Sequence, residues 1–206
     1  MFNRFLKLFT LRRKNEKLKV LFDMDNVVSD FASTVIPKLN QRFEKNYKVE
    51  DITSWDLTKY YGADVFSVLN EEGLFLGFKP KNDALNEFPK IYNDARFDVW
   101  IVTSCGSTNE YAEKVVWMKK YFPDFPINRL IPCSEKDTIW ADMLIDDGLH
   151  NLKSYEYVGE PVVYDMPHNR EFEDGNVVTY KRLHSMSGVR NYLEYRLKEK
   201  RNTKVA

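Results

Sequence analysis

The residues from Leu18 to Asp30, LKVLFDMDNVVSD, restrict the chain more than any other stretch. Val20, Leu21 and Phe22 form a short apolar run of strand-favouring residues that stops at Asp23-Met24-Asp25. Side chains two apart in an extended segment point the same way, so the run predicts a buried strand whose C-terminal end carries two carboxylates on one face. Two like charges there are costly unless a cation lies between them, and a hard divalent ion would serve. The C-terminal ends of strands are also where an open α/β sheet binds its ligands. An acidic pair alone is an ordinary solvated turn, and only its company elsewhere in the chain gives it a chemical meaning.

Strand-like and helix-like segments alternate along the rest. Phe31, Val35, Ile36, Leu39 and Phe43 share a helical face within Phe31 to about Tyr47. Asp51 to Phe78 is rich in aromatics, with a break at Gly62, and reads as a small helical insert lying over the acidic turn. An amphipathic helix from Asn82 to about Ala95 leads to a second strand, Phe97 to Ser104, which ends in the hydroxyls of Thr103 and Ser104. The next helix, Asn109 to Tyr121, spaces Tyr111, Val115, Val116, Met118 and Lys119 for docking on a sheet. After Lys136 comes a further strand, Ala141 to Asp147, ending in Asp146-Asp147. Strands at Pro161–Tyr164 and Val177–Tyr180 and a helix from about Ser185 to Lys200 close the pattern. It predicts an α/β fold, doubly wound about a mainly parallel sheet, with a small helical cap inserted after the first strand. The expected division is a basic extension over 1–17, a core over 18–32 and 79–200, and a cap over 33–78.

With 31 basic and 31 acidic residues the net charge is zero, and no bulk field recommends a nucleic-acid polymer as partner. The balance is uneven: residues 1 to 19 hold seven Lys/Arg against Glu16. That arm reads as a frayed extension rather than a stable membrane anchor, and no apolar run approaches a membrane span. Cys105 and Cys133 follow no metal-ligand spacing and read as free thiols in a reducing, cytoplasmic setting. His150, His168 and His184 share no ligand spacing and receive no catalytic role.

Three strand ends thus carry Asp-x-Asp, Thr-Ser and Asp-Asp, with Lys136 eleven residues before Asp147. Singly these are a turn, a hydroxyl pair, a helix cap and a surface charge; together, in this order, they resemble the haloacid dehalogenase (HAD) superfamily. That resemblance implies Asp23 as the nucleophile forming an aspartyl phosphate and Asp25 as general acid and base. It implies Thr103, Ser104 and Lys136 as phosphate-binding groups. It further implies Mg²⁺ held by Asp23, the Asp25 main-chain carbonyl, Asp146 and Asp147, an all-oxygen set. Asn26 stands where the superfamily usually has glycine, and asparagine tolerates positive φ better than most side chains.

DMDNVVSDF, Trp55, LFLGFKP, VTS, KYFPDF, EKDTIWADMLIDD, PHN and RLHS are similar to the 5′(3′)-deoxyribonucleotidases, the cytosolic type C nucleotidase family. The likeness runs from about Leu18 to Leu197. It implies hydrolysis of nucleoside monophosphates, chiefly deoxyribonucleotides, with Phe31 and Trp55 lining the base pocket and a small-molecule substrate as partner. Gly148 replaces an arginine of mammalian members, and Pro80 to Ala84 departs from their pattern, which leaves base and sugar preference open. A phosphatase for another small phosphomonoester, such as a sugar phosphate, and a catalytically silent nucleotide-binding module are the competing readings. A homodimer is left open.

Overall fold

The computed structural model describes residues 17–171 and 178–203. The basic arm expected over 1–17 therefore lies outside the described residues except for Lys17. Among the described residues six strands form one sheet in the order β3-β2-β1-β4-β5-β6, and every pairing in it is parallel. They are β1 Leu18–Phe22, β2 Phe97–Thr103, β3 Leu130–Pro132, β4 Met143–Asp146, β5 Glu160–Tyr164 and β6 Lys181–Leu183. Val20 stands opposite Val99 on one side and Met143 on the other. The chain winds outward from β1 through β2 to β3, then returns to place β4 against the free side of β1. The order reverses between β1 and β4, where sheets of this kind open a crevice for ligands.

Alternation along the central strands sorts the core. Val20, Phe22, Val99, Ile101, Met143, Ile145, Val162 and Tyr164 belong to one apolar cluster. Phe88 and Ile91 of α4 (Ala84–Tyr92), Trp117 and Met118 of α5 (Thr108–Tyr121), and Val189, Leu193 and Leu197 of α7 (Met186–Thr203) complete it. Leu21, Val102, Leu144 and Val163 meet Leu152 and Tyr155 of α6 (Leu149–Tyr155) in a second cluster. Both faces of the sheet are covered, as the apolar runs of the buried strands require.

Two expectations fail locally. The last strand is Lys181–Leu183, not Val177–Tyr180; Val177 lies outside the described residues, and Val178 and Tyr180 pack half-buried beside the second cluster. An edge strand has one neighbour, so pairing of Leu183 with Tyr164 outweighs intrinsic strand propensity. On α5 the inward residues are Lys114, Trp117 and Met118, whereas Val116 is exposed. The three-residue β3 is too short to show any periodicity in sequence.

Between β1 and α4 the chain is helical: α1 Phe31–Phe43, α2 Thr58–Tyr61, α3 Phe66–Leu69 and short 3₁₀ turns. α1 ends at Glu44 in the left-handed region (φ 52°), short of the expected Tyr47, and Gly62 (φ 76°) ends α2. The two crossings into this segment lie side by side. Asp30 N–H donates to Lys79 O at 2.7 Å, Lys81 N–H to Val28 O at 2.8 Å, and Lys81 Nζ to Asp30 Oδ1 at 3.0 Å.

Candidate active site

Because all strands run the same way, β1, β2 and β4 deliver Asp23, Thr103 and Asp146 to one edge of the sheet. Asp23 follows β1 directly, and its N–H donates to Ile145 O at 2.8 Å, continuing the ladder toward β4. Asn26 then turns the chain in the left-handed region (φ 60°), so asparagine does serve where glycine is usual. Its side chain fastens the turn, with Nδ2 donating to Asp147 Oδ2 at 2.8 Å and Oδ1 accepting from Ala32 N–H at 2.9 Å.

Lys136 rises from a 3₁₀ turn, Lys136–Thr138, and buries its ammonium between two acids. Nζ lies 2.5 Å from Asp23 Oδ1 and 2.6 Å from Asp146 Oδ2. Asp146 also accepts from Gly148 N–H at 2.7 Å and Asn151 Nδ2 at 3.1 Å. Asp147 accepts from Asn26 and has His168 Nε2 at 3.2 Å, while Asn169 Nδ2 donates to its main-chain carbonyl at 2.9 Å. Burial works against the Asp147 charge, but His168 and Asn26 outweigh it and hold the carboxyl below the ordinary range. Asp23 goes the other way. Burial pushes its carboxyl well up against the pull of Lys136, and Asp146, Asp147 and Asp25 add to the rise.

Asp23, Asp146 and Asp147 each present an oxygen within 4.8 Å of the others, and all three are buried. Among the described residues Lys136 is the lysine in contact with this trio, so once all three acids are ionised two negative charges remain to be offset, the charge of one divalent cation. The donors are carboxylate oxygens, which suits a hard metal ion. The residues present therefore fit a metal of that class.

Asp25 lies beside this cluster with both oxygens engaged. Ser29 Oγ donates to Oδ1 at 2.9 Å and Lys114 Nζ to Oδ2 at 2.8 Å. Thr103 is fully buried and its hydroxyl accepts from Lys114 at 2.8 Å, whereas Ser104 is exposed on the cavity wall. The cavity measures about 560 Å³. Its floor holds Asp23, Asp25, Lys136, Asp146 and Asp147; Phe31, Ile36, Val49, Ile52, Trp55, Phe66 and Leu69 form an apolar wall above. Phe31 packs edge-on against Phe78, and Trp55, 59% exposed, meets His150 with ring centroids 4.7 Å apart. A Cβ at Gly148 would come within 2.9 Å of His150, so glycine there makes room for that imidazole.

Three groups at the site escape sequence reasoning. Spacing among the histidines says nothing about their meeting acids or aromatics from other elements, yet His150 and His168 both line the cavity. Lys114 is not singled out by any motif in the sequence. Its one signal is position, three and four residues before Trp117 and Met118 on the inward stripe of α5.

The sequence model of the family described as 5′ nucleotidase, deoxy (pyrimidine), cytosolic type C protein matches residues 16–195. A 5′(3′)-deoxyribonucleotidase of Bacillus subtilis is 31% identical over 157 residues, 75% of this chain and 88% of that protein. One from Clostridium acetobutylicum is 27% identical over 155 residues, covering 72% and 82%. Among solved structures, a HAD family hydrolase from Deinococcus radiodurans with bound phosphate and sodium superposes with TM-score 0.57 at 13% identity, covering 89% of this chain and 98% of that one. A haloacid dehalogenase-like protein from Agrobacterium tumefaciens gives 0.56 at 9%, covering 87% and 99%. The fold is the HAD α/β fold, and with the match extending over nearly the whole described chain, the protein belongs to the cytosolic type C 5′-deoxynucleotidase family.

Proposed function

We propose that the protein is a Mg²⁺-dependent phosphomonoesterase that hydrolyses deoxyribonucleoside monophosphates to nucleoside and phosphate. The observation that carries this reading is an acid cluster bridged by Lys136 directly beneath an apolar, aromatic wall. A phosphate fits the floor and a flat base fits the wall; a sugar phosphate would leave that wall facing water. The helical segment above the floor acts as the cap.

Asp23 attacks phosphorus, forming the aspartyl phosphate as the ester oxygen departs with a proton from Asp25. Asp25 then takes a proton from the water that cleaves this acyl phosphate, releasing inorganic phosphate and restoring Asp23. Lys136 offsets negative charge on Asp23 and on the phosphoryl oxygens. Ser104 would donate to the phosphoryl oxygens from the cavity wall, and Thr103, fully buried with its hydroxyl held between Lys114 Nζ and Ser104 O, would support that strand end. Asp23, the Asp25 carbonyl, Asp146 and Asp147 would hold Mg²⁺, which when bound neutralises the excess acid charge and the phosphate dianion. Phe31 and Trp55 would contact the base, Trp55 by stacking.

Phosphate release across deoxynucleotides, ribonucleotides and sugar phosphates in Mg²⁺ tests the reading. The highest kcat/KM should fall on a deoxynucleoside monophosphate. Faster turnover of sugar phosphates would overturn the substrate while leaving the phosphatase chemistry in place.

A further inference from the structure

Lys114 is a fully buried ammonium to which the proposed reaction gives no task. Its Nζ lies 2.8 Å from Asp25 Oδ2, 2.8 Å from Thr103 Oγ1, 2.7 Å from Ser104 O and 3.1 Å from Glu110 Oε1. The Phe75 ring of the helical segment covers it at 4.5 Å. Docking α5 does not need a charge here: Trp117 Nε1 donates to Phe78 O, and the Glu113 carboxylate accepts from Gly73 N–H and Phe75 N–H. An apolar side chain would fill position 114 at less desolvation cost.

We propose that Lys114 is a positioning residue for Asp25, and this rests on the acid and base role given to Asp25 under the proposed function. Ser29 fixes one oxygen of that carboxyl and Lys114 the other, so the pair sets the plane from which Asp25 meets the leaving oxygen. The same ammonium fixes Thr103 and the Ser104 carbonyl, joining the acid to the phosphate-binding strand end. Phe75 makes this arrangement depend on a seated cap.

The test compares kcat/KM on a deoxynucleoside monophosphate with kcat/KM on p-nitrophenyl phosphate. A nitrophenolate leaves without needing a proton, so the aryl ester tolerates a misplaced acid. Any effect through Thr103 falls on both substrates and cancels in the ratio. Lys114→Met should lose about 30-fold or more on the nucleotide and under about fivefold on the aryl ester, within the range for a positioned acid. Asp25→Asn should show the same split, and adding Lys114→Met to it should cost less than about threefold more.

Equal losses on both substrates, or additive losses in the double variant, would overturn the proposal. Absence of the split in Asp25→Asn itself would instead overturn the role of Asp25. Should Lys114→Met not fold, Asp25→Asn/Lys114→Met is compared with Asp25→Asn, since removing the Asp25 charge removes the need for its counter-ion. Failure of that double variant to fold would assign Lys114 to the fold alone and overturn the proposal.

Discussion

Lys136 Nζ reaches Asp23 Oδ1 at 2.5 Å, from 113 residues further along the chain. With Asp146 on its other side, this ammonium ties the end of β1 to the end of β4. Lys136→Met therefore removes the counter-ion of two buried acids and, on the proposed mechanism, a charge partner for phosphate. We expect kcat to fall about 10²- to 10³-fold, as when a transition-state donor is lost. Stability should fall by about 3–5 kcal/mol in the absence of metal. Steady-state kinetics and denaturant unfolding of the variant check the two effects separately.

The raised Asp23 carboxyl has a consequence for metal binding. Its proton is retained to higher pH than an ordinary aspartate's, and a cation bound between Asp23 and Asp147 must displace it. Cation affinity should therefore rise with pH through that raised value, with protons released on binding. Calorimetry in two buffers of different ionisation enthalpy reads the release directly; uptake of protons would have the wrong sign. EDTA should abolish activity and Mg²⁺ restore it, and Zn²⁺ alone should not.

Asp83 ties the segment before α4 to the start of α7. Its two oxygens accept from Met186 N–H and Ser187 N–H, each at 2.8 Å, and so cap the start of α7 from 103 residues away. Burial would raise this carboxyl, but the hydrogen bonds from Ser187 and Met186 overcome it and hold it low. Its stabilisation is present above the ordinary carboxylate pKa of about 3.9 and is lost as the pH falls through the depressed value. Asp83→Ala should cost about 1–2 kcal/mol at neutral pH, with a smaller difference in strong acid. Urea titrations at the two pH values test this.

Trp55 stands on the helical segment and His150 on α6, and their rings meet in the cavity lining. Removing the indole by Trp55→Ala should weaken nucleotide binding by about 1–3 kcal/mol through lost stacking, seen mainly as a raised KM. The same variant should leave inorganic phosphate inhibition unchanged, because the proposed mechanism seats phosphate on the floor alone. Inhibition constants for phosphate and KM for the nucleotide separate the two.

What the sequence shows most clearly is whatever repeats or sits at a strand end. The run Val20–Phe22 stopping at Asp23, and Asp146-Asp147 stopping a second run, mark the sheet edge because strand periodicity and charge change at the same residue. Lys136 is legible through its place in a known order rather than by any local pattern. Lys114, His150 and His168 are not legible, since each gains its meaning from partners supplied by other elements: Asp25, Trp55 and Asp147. The misplaced last strand has the same cause, a pairing preference at the sheet edge that outweighs local propensity.

On the proposed mechanism Asp23 carries the phosphoryl group between the two displacements. Enzyme quenched during turnover of a deoxynucleoside monophosphate and reduced with borohydride should yield homoserine at position 23 by peptide mass spectrometry, and none in Asp23→Asn. Reduction at another residue, or none anywhere while phosphate is being released, would contradict the account.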